Sequence, residues 1–133
     1  MWFQKKIYHP EKIEVKESNL HGRGVFSLQS FSKGETIEKA PAILLNAAEK
    51  EHLQTTSLFR YYFLVPNDKT SVALGLGYSS LYNHSIPANA EYSMDIKKRI
   101  IIIKAAQPIK EGEEITLNYN GTPNDTSPVY FKT

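Results

Sequence analysis

The chain has 133 residues, of which 41% are apolar, and its 16 Lys and Arg against 14 Asp and Glu give a formal net charge of +2. This length suits one globular domain, which can bury roughly two thirds of its unfolded surface and does not need disulfides or metals for stability. Because the charge is nearly balanced, a small basic β-domain that binds nucleic acid is disfavoured, and the sequence carries no strong nucleic-acid signal.

The chain contains no cysteine. This excludes disulfides, thiolate catalysis and cysteine-based zinc or iron–sulfur sites, and it favours a reducing compartment. The N-terminus lacks the apolar segment of a secretory signal, and no run approaches the roughly 20 apolar residues of a membrane span. We therefore expect a cytoplasmic protein without membrane contacts. In that compartment the Asn-x-Ser/Thr triplets at Asn83, Asn120 and Asn124 are not expected to carry glycans.

The first half of the chain predicts short strands and one helix. Strands are predicted over residues 12–17 and 24–28, as a hairpin, and over residues 36–45, with an interruption at Pro41 that suits a sheet edge or a bulge. A helix over residues 47–54 has a cap at Asn46 and a capping-box Glu49. An aromatic-rich strand over residues 59–65 follows, with residues 71–76 as its hairpin partner.

The second half predicts more strands. Gly75 and Gly77 predict a flexible approach to the tract that follows them. Residues 91–96 and 99–105 form a predicted hairpin, and its second arm, which is almost wholly apolar, is expected to be central in a sheet. A last strand covers residues 114–119. The fold class is therefore mainly β, built from small twisted sheets.

Three separated polar tracts suggest one site assembled from distant parts of the chain. The first is His21-Gly22-Arg23-Gly24. Glycines two positions apart let a backbone approach a ligand closely, but for this tract taken alone a plain hairpin turn is the better explanation. No third glycine and no helix follow, so the tract does not fit a dinucleotide-binding fingerprint.

The second tract contains Asn83 and His84. His84 could be a base, a metal ligand or a structural hydrogen-bonding residue. No second histidine or carboxylate lies at ligand spacing, so no metal site is expected. Ser85 permits serine–histidine chemistry on paper, but the strand–turn–helix elbow that exposes such a nucleophile is absent.

The third tract ends at Tyr119, at the end of the last predicted strand. Eight tyrosines occur in the chain; Tyr92 lies soon after the second tract, and Tyr61 and Tyr62 lie in the predicted aromatic strand. Packing in the core explains several of them. Tyrosine rings and hydroxyls would also suit a narrow channel for an amine on an aliphatic stem, because the ring packs on methylenes while the phenol hydrogen-bonds.

Taken in order, HGRGVF at residues 21–26, NHS at residues 83–85 and GEEITLNY at residues 112–119 resemble the motifs of the SET-domain protein-lysine methyltransferases. The resemblance covers residues 18–119. It implies small twisted sheets with a C-terminal pseudoknot and one or two short helices, in which the segment before Tyr119 is threaded beside Asn83 and His84. It also implies a single domain, with a core over about residues 12–120 and a tail over residues 121–133.

The family's residue roles are carried onto the matching positions. Tyr119 matches the catalytic tyrosine and Tyr92 a second one, whereas Tyr61, Tyr62 and Leu117 match the substrate channel. The residues that would bind the cofactor, S-adenosylmethionine, are His21, Gly22, Arg23, Gly24, Asn83 and His84. No metal is implied.

The resemblance implies methyl transfer to the ε-amine of a lysine in a protein or peptide, with S-adenosylhomocysteine as product. The alternative is a SET-like module that binds peptide or cofactor without catalysis.

The chain departs from the family pattern at Pro87-Ala88-Asn89 and lacks its cysteine-rich flanks. We expect Tyr130 or Phe131 in the tail to close over the site. The chain resembles the small stand-alone forms found in bacteria and in viruses, several of which form homodimers. In a virus or a secreted effector its location would be the host nucleus.

Overall fold

The computed structural model describes residues 10–119 and 124, and this part of the chain is mainly β, as predicted. Its strands form two sheets, and no helix in this part is long and apolar enough to cross a membrane. The predicted roles of Tyr130 and Phe131 fall outside the described residues. The strands are β1 (Ile13–Glu17), β2 (Arg23–Ser27), β3 (Thr36–Leu45), β4 (Tyr62–Val65), β5 (Asp68–Gly75), β6 (Asn83–His84), β7 (Ala90–Asp95), β8 (Ile100–Ala105) and β9 (Glu114–Leu117).

The smaller sheet contains the threaded segment. Its order is β1-β2-β9-β6, and β1 and β2 form the predicted hairpin. β9 pairs antiparallel with β2 and parallel with β6, so that Thr116 lies opposite Asn83 and Leu117 opposite His84. The last strand is thus inserted between two earlier ones. This confirms the pairing that the resemblance implied, and local sequence patterns cannot predict it because such threading is rare.

Asn89 fixes the inserted strand from the side. Its Nδ2 donates to the Glu114 carbonyl at 2.8 Å, and its Oδ1 accepts from the Thr116 backbone N–H at 2.8 Å. Asn89 therefore replaces, with one buried side chain, two backbone partners that β9 would otherwise need on that side. The asparagine of the altered Pro-Ala-Asn tract remains in contact with the strand that ends before Tyr119.

The larger sheet has the order β4-β5-β3-β8-β7, so β8 has a neighbour on each side, as predicted. Ile101 and Ile103 of β8 are fully buried in a core that joins the two sheets. The predicted interruption at Pro41 is wrong, because β3 runs through it without a break. Residues 36–41 pair with β8 and residues 42–45 with β5, so the missing N–H of Pro41 falls where one ladder gives way to the next.

The helix α1 (Ala47–Leu53) begins where the sequence predicts it. Asn46 Oδ1 accepts from the Glu49 backbone N–H at 2.9 Å, and Glu49 Oε2 accepts from the Asn46 backbone N–H at 2.9 Å. This is the reciprocal capping box. The helix packs on β5 and β3.

The predicted aromatic strand is wrong over its first half, because Ser57–Arg60 forms a 3₁₀ turn and β4 begins only at Tyr62. Thr56 caps the turn by accepting the Leu58 N–H on its Oγ1 at 3.2 Å. This local hydrogen bond outweighs the strand preference of the aromatic residues that follow.

The flexible approach predicted from Gly75 and Gly77 is also wrong in part. Gly75 is the buried end of β5, and a Cβ there would overlap the Ser79 hydroxyl. Gly77 does need its glycine, since its φ is +63°. A second 3₁₀ turn, Ser79–Leu81, then leads directly into β6.

Candidate active site

The turn between β1 and β2 forms one wall of a cleft. Gly22 has a φ of +48°, and its carbonyl accepts the Ser18 N–H at 2.8 Å. A Cβ at Gly22 would meet nothing within 4 Å, so the backbone conformation and not crowding favours glycine here. The turn is thus a fixed piece of backbone with open space beside it.

Asn83 fastens this turn to the inserted strand. Its Nδ2 lies 3.0 Å from the carbonyl oxygens of both His21 and Arg23 and 2.8 Å from Glu114 Oε2. The other carboxylate oxygen of Glu114 accepts the Ser18 hydroxyl at 2.6 Å. The predicted cofactor turn and the second polar tract are therefore held together by one amide and one carboxylate.

Gly24 lies where these groups meet. A Cβ there would overlap the Glu114 carboxylate and come within 3.0 Å of Asn83 Nδ2. Because the carboxylate is held by Ser18 and Asn83, it cannot move without breaking those bonds. We expect Gly24→Ala to weaken cofactor binding by about tenfold or more, since distortion of a packed site costs roughly 1–3 kcal/mol.

Calorimetric titration with S-adenosylmethionine measures the effect of Gly24→Ala. The matched control is Gly34→Ala, which lies in the turn before β3 with open space around it and a φ of +86°. That control should lower the melting temperature through backbone strain and leave cofactor affinity unchanged. Unchanged affinity in Gly24→Ala would show that the crowding at this point has no bearing on the cofactor.

His84 acts as a structural residue. Its Nδ1 accepts the Tyr119 backbone N–H at 3.1 Å, so this nitrogen carries no proton, and the two rings pack with centroids 5.0 Å apart. Burial also lowers the pKa of His84, which favours the neutral ring. Within residues 10–119 and 124, no group of three or more His, Asp or Glu side chains could hold a metal ion. The geometry favours the structural interpretation among the three that the sequence leaves open.

Tyr119 is held by both its backbone and its phenol. Its hydroxyl donates to the Tyr82 carbonyl at 2.7 Å. Burial raises the pKa of Tyr119 to about 12, with smaller contributions from Tyr61 and Glu114, so the phenol is neutral near pH 7. A phenol has one hydrogen, so the Tyr119 oxygen can take part in further hydrogen bonds only as an acceptor.

The turn, Asn83 and Tyr119 face one cleft of about 200 Å³. Arg60 also lines it, and the sequence does not point to this residue because the aromatic residues around it predict a strand. The one sequence feature that sets Arg60 apart is its positive charge within an otherwise aromatic run. The lining residues are the predicted His21, Gly22, Arg23, Tyr61, Asn83 and Tyr119, together with Arg60, Ser80, Leu81 and Tyr82.

The family model of the SET domain matches residues 22–120 of the chain. The chain belongs to the SET-domain family. The matched range includes almost the whole cleft and all of the threaded strand, so the family predicted from the three motifs is confirmed.

Two relatives and a solved structure are similar to this SET domain. A Schizosaccharomyces pombe histone-lysine N-methyltransferase, H3 lysine-37 specific, is 32% identical over 108 residues, which are 80% of this chain and 72% of the relative. The Danio rerio N-lysine methyltransferase KMT5A-A is 32% identical over 114 residues, 74% of this chain and 32% of that protein. The Plasmodium falciparum protein PFL0690c has 30% identity and a TM-score of 0.67, over 84% of this chain and 99% of that one.

The remaining predicted site residues of this SET domain are not among the residues that line the cleft. Gly24 and His84 support it, as described above. Leu117 is buried opposite His84. Tyr62 packs edge-on against Phe59. The Tyr92 hydroxyl lies 3.5 Å from the Leu64 carbonyl. The catalytic role of Tyr92 and the channel roles of Tyr62 and Leu117 stay predictions.

Proposed function

We propose that this SET domain transfers a methyl group from S-adenosylmethionine to the ε-amine of a lysine in a protein substrate. The family and both relatives support this enzyme class. The observation that carries the proposal is the meeting, in one cleft, of the glycine-containing turn and the fixed neutral phenol of Tyr119.

The cleft suits the cofactor chemically. Arg23 and Arg60 bring two positive charges to the lining, which complement a carboxylate such as that of the cofactor's amino-acid part. The rings of Tyr61 and Tyr119 suit a cationic sulfur. The cleft holds about 200 Å³, below the roughly 300–1,000 Å³ of typical ligand pockets, so the cofactor would extend beyond it.

Methyl transfer requires the substrate lysine in its neutral form. Its unperturbed pKa is about 10.4, so the neutral amine costs roughly 4–5 kcal/mol at pH 7. S-adenosylmethionine supplies an activated methyl group on a positively charged sulfur. A positive charge and a dry environment both lower the amine pKa, so the chain needs no strong general base. Neither His84, with its acceptor nitrogen already used, nor neutral Tyr119 is suited to that role.

Positioning is what the chain supplies. The single phenolic hydrogen of Tyr119 is committed to the Tyr82 carbonyl, so the oxygen presents lone pairs in a fixed direction. Such an acceptor can hold a polarised methyl group through weak C–H···O contacts and stabilise nearby positive charge. The strand predicted over residues 114–119 ends at Leu117, and Tyr119 follows two residues later, where its backbone N–H bond to His84 helps to keep that oxygen in place.

The substrate that we propose is a lysine in a basic, extended protein segment of the histone-tail type. This rests on the name of the fission yeast relative, which acts on lysine 37 of histone H3. From the sequence alone we also propose that the protein forms a homodimer and is located in the cytoplasm, or in the nucleus of a host.

Incubation with labelled S-adenosylmethionine and a histone H3 tail peptide tests the function. We expect label on the peptide, located on a lysine by mass spectrometry. The matched control is the same peptide with every lysine replaced by arginine, which should take up no label. Cofactor binding by calorimetry without transfer to that peptide or to a lysine-rich protein mixture would instead indicate a non-catalytic SET-like module.

A further inference from the structure

Glu38 is a buried carboxylate that the proposed chemistry does not use. It is 5% exposed and lies on β3, outside the residues that line the cleft. Successive residues of a regular strand point to opposite faces, yet Ile37 and Glu38 are both buried. The pairing of β3 with β8 shifts register between Thr36 and Glu38, and such a bulge re-aims a side chain.

Both oxygens of Glu38 have specific donors. Oε1 accepts the Tyr82 hydroxyl at 2.9 Å, and Oε2 accepts the Tyr78 backbone N–H at 2.9 Å. A Cβ at Gly77 would lie 2.7 Å from Oε2, so a glycine with a positive φ makes room for the carboxylate. Burial raises the pKa of Glu38, while the two hydrogen bonds oppose that rise. The site is therefore built around this carboxylate.

The other end of Tyr82 reaches the active site. Tyr82 is 2% exposed, and its backbone lies between the Ser79–Leu81 turn and β6. Its carbonyl is the acceptor for the Tyr119 hydroxyl at 2.7 Å. One residue thus links Glu38, through its side chain, to the phenol of Tyr119, through its backbone.

We propose that Glu38 is a positioning residue for methyl transfer: it fixes the buried phenol of Tyr82 and so holds the Tyr82 carbonyl that orients the Tyr119 hydroxyl. This inference rests on the role proposed for Tyr119. The proposed role explains why a bulge in β3 and a glycine with a positive φ accommodate a carboxylate that lies outside the cleft.

Single-turnover transfer rates in two backgrounds test the proposal. Glu38→Gln keeps the shape but puts an NH2 donor where one carboxylate oxygen accepts, so the Tyr82 hydroxyl and the Tyr78 N–H can no longer both donate to this side chain. In the wild-type background it should lower the rate by about tenfold, because small misplacements of catalytic groups have effects of this order or larger, with cofactor affinity unchanged. In the Tyr119→Phe background it should change the rate by less than about twofold, because no hydroxyl remains to be oriented.

Tyr82→Phe is the second variant, and it should give the same pattern in both backgrounds. The double variant Glu38→Gln with Tyr82→Phe should be no slower than the slower single variant, because both changes break one link. Melting temperatures and cofactor titration report folding separately, and Tyr82→Phe keeps the test available if Glu38→Gln does not fold.

Two results would overturn this inference but not the proposed function. The first is a wild-type transfer rate in both Glu38→Gln and Tyr82→Phe. The second is a fractional loss of rate that is equal in the wild-type and Tyr119→Phe backgrounds, which would mean that Glu38 has a purely structural role. A wild-type protein that transfers no methyl group would overturn the proposed function, and the inference with it. Methyl-transfer rates that depend on Glu38 only when Tyr119 is present would support both the proposed function and the positioning role of Glu38.

Discussion

Tyr119→Phe should lower the rate of methyl transfer by about a hundredfold or more and leave cofactor affinity within about twofold. Loss of one fixed polar group at a reacting centre typically costs about 10²–10³ in rate. The backbone N–H bond from Tyr119 to His84 and the ring contact with His84 do not need the hydroxyl, so the local fold should persist. Single-turnover transfer of a labelled methyl group, with calorimetric titration of the cofactor, measures both quantities.

The matched control for Tyr119→Phe is Tyr78→Phe. Tyr78 packs against the core and its side chain does not line the cleft, so loss of its hydroxyl should leave the rate near that of the wild type. An unchanged rate in Tyr119→Phe would refute the catalytic role of this phenol. A parallel loss of cofactor affinity would show that the hydroxyl serves binding and not the transfer step.

Asn83→Ala should weaken cofactor binding by at least about tenfold and also destabilise the fold. The change removes the donor shared by His21, Arg23 and Glu114. It leaves the Glu114 carboxylate with the Ser18 hydroxyl but without its amide partner, which costs roughly 1–3 kcal/mol for a partly buried acceptor. A turn that is no longer fastened must be ordered by the cofactor, and that ordering reduces affinity.

Asn46→Ala serves as the control for the same chemical change. It removes the side-chain cap of α1, away from the cleft, and should cost about 1 kcal/mol of stability without altering cofactor affinity. Thermal unfolding and calorimetry separate the two effects. Equal affinity for cofactor in Asn83→Ala and Asn46→Ala would show that the amide of Asn83 does not support the binding turn.

The parts of the fold predicted correctly from the sequence are those with local causes. The capping box at Asn46 and Glu49 fixes the start of α1, and alternating residues mark the β1–β2 hairpin. The aromatic run misled because the Thr56 side chain captures a backbone N–H and begins a 3₁₀ turn. Pro41 misled because its effect depends on which strands lie beside β3, and this is set by tertiary structure.

The candidate site also has residues that sequence motifs reveal and residues that only tertiary structure reveals. The order of the three motifs led to His21, Asn83 and Tyr119, which the fold brings to one cleft. Glu38 carries no signal in the sequence, since its burial depends on a register shift in β3 and its partner lies 44 positions away. Arg60 is hard to predict because its aromatic neighbours favour a strand, whereas it lies at the end of a 3₁₀ turn. Local sequence patterns cannot predict residues whose role depends on the pairing of distant segments.

A crystal structure of the protein with S-adenosylhomocysteine tests most directly whether this cleft is the active site. We predict that the product occupies the cleft against the turn at residues 21–23, with its sulfur on the side of Tyr119 and with Asn83 still bound to that turn. Electron density for the product at any other place on the molecule, with the cleft between Arg23 and Tyr119 free of it, would contradict the account.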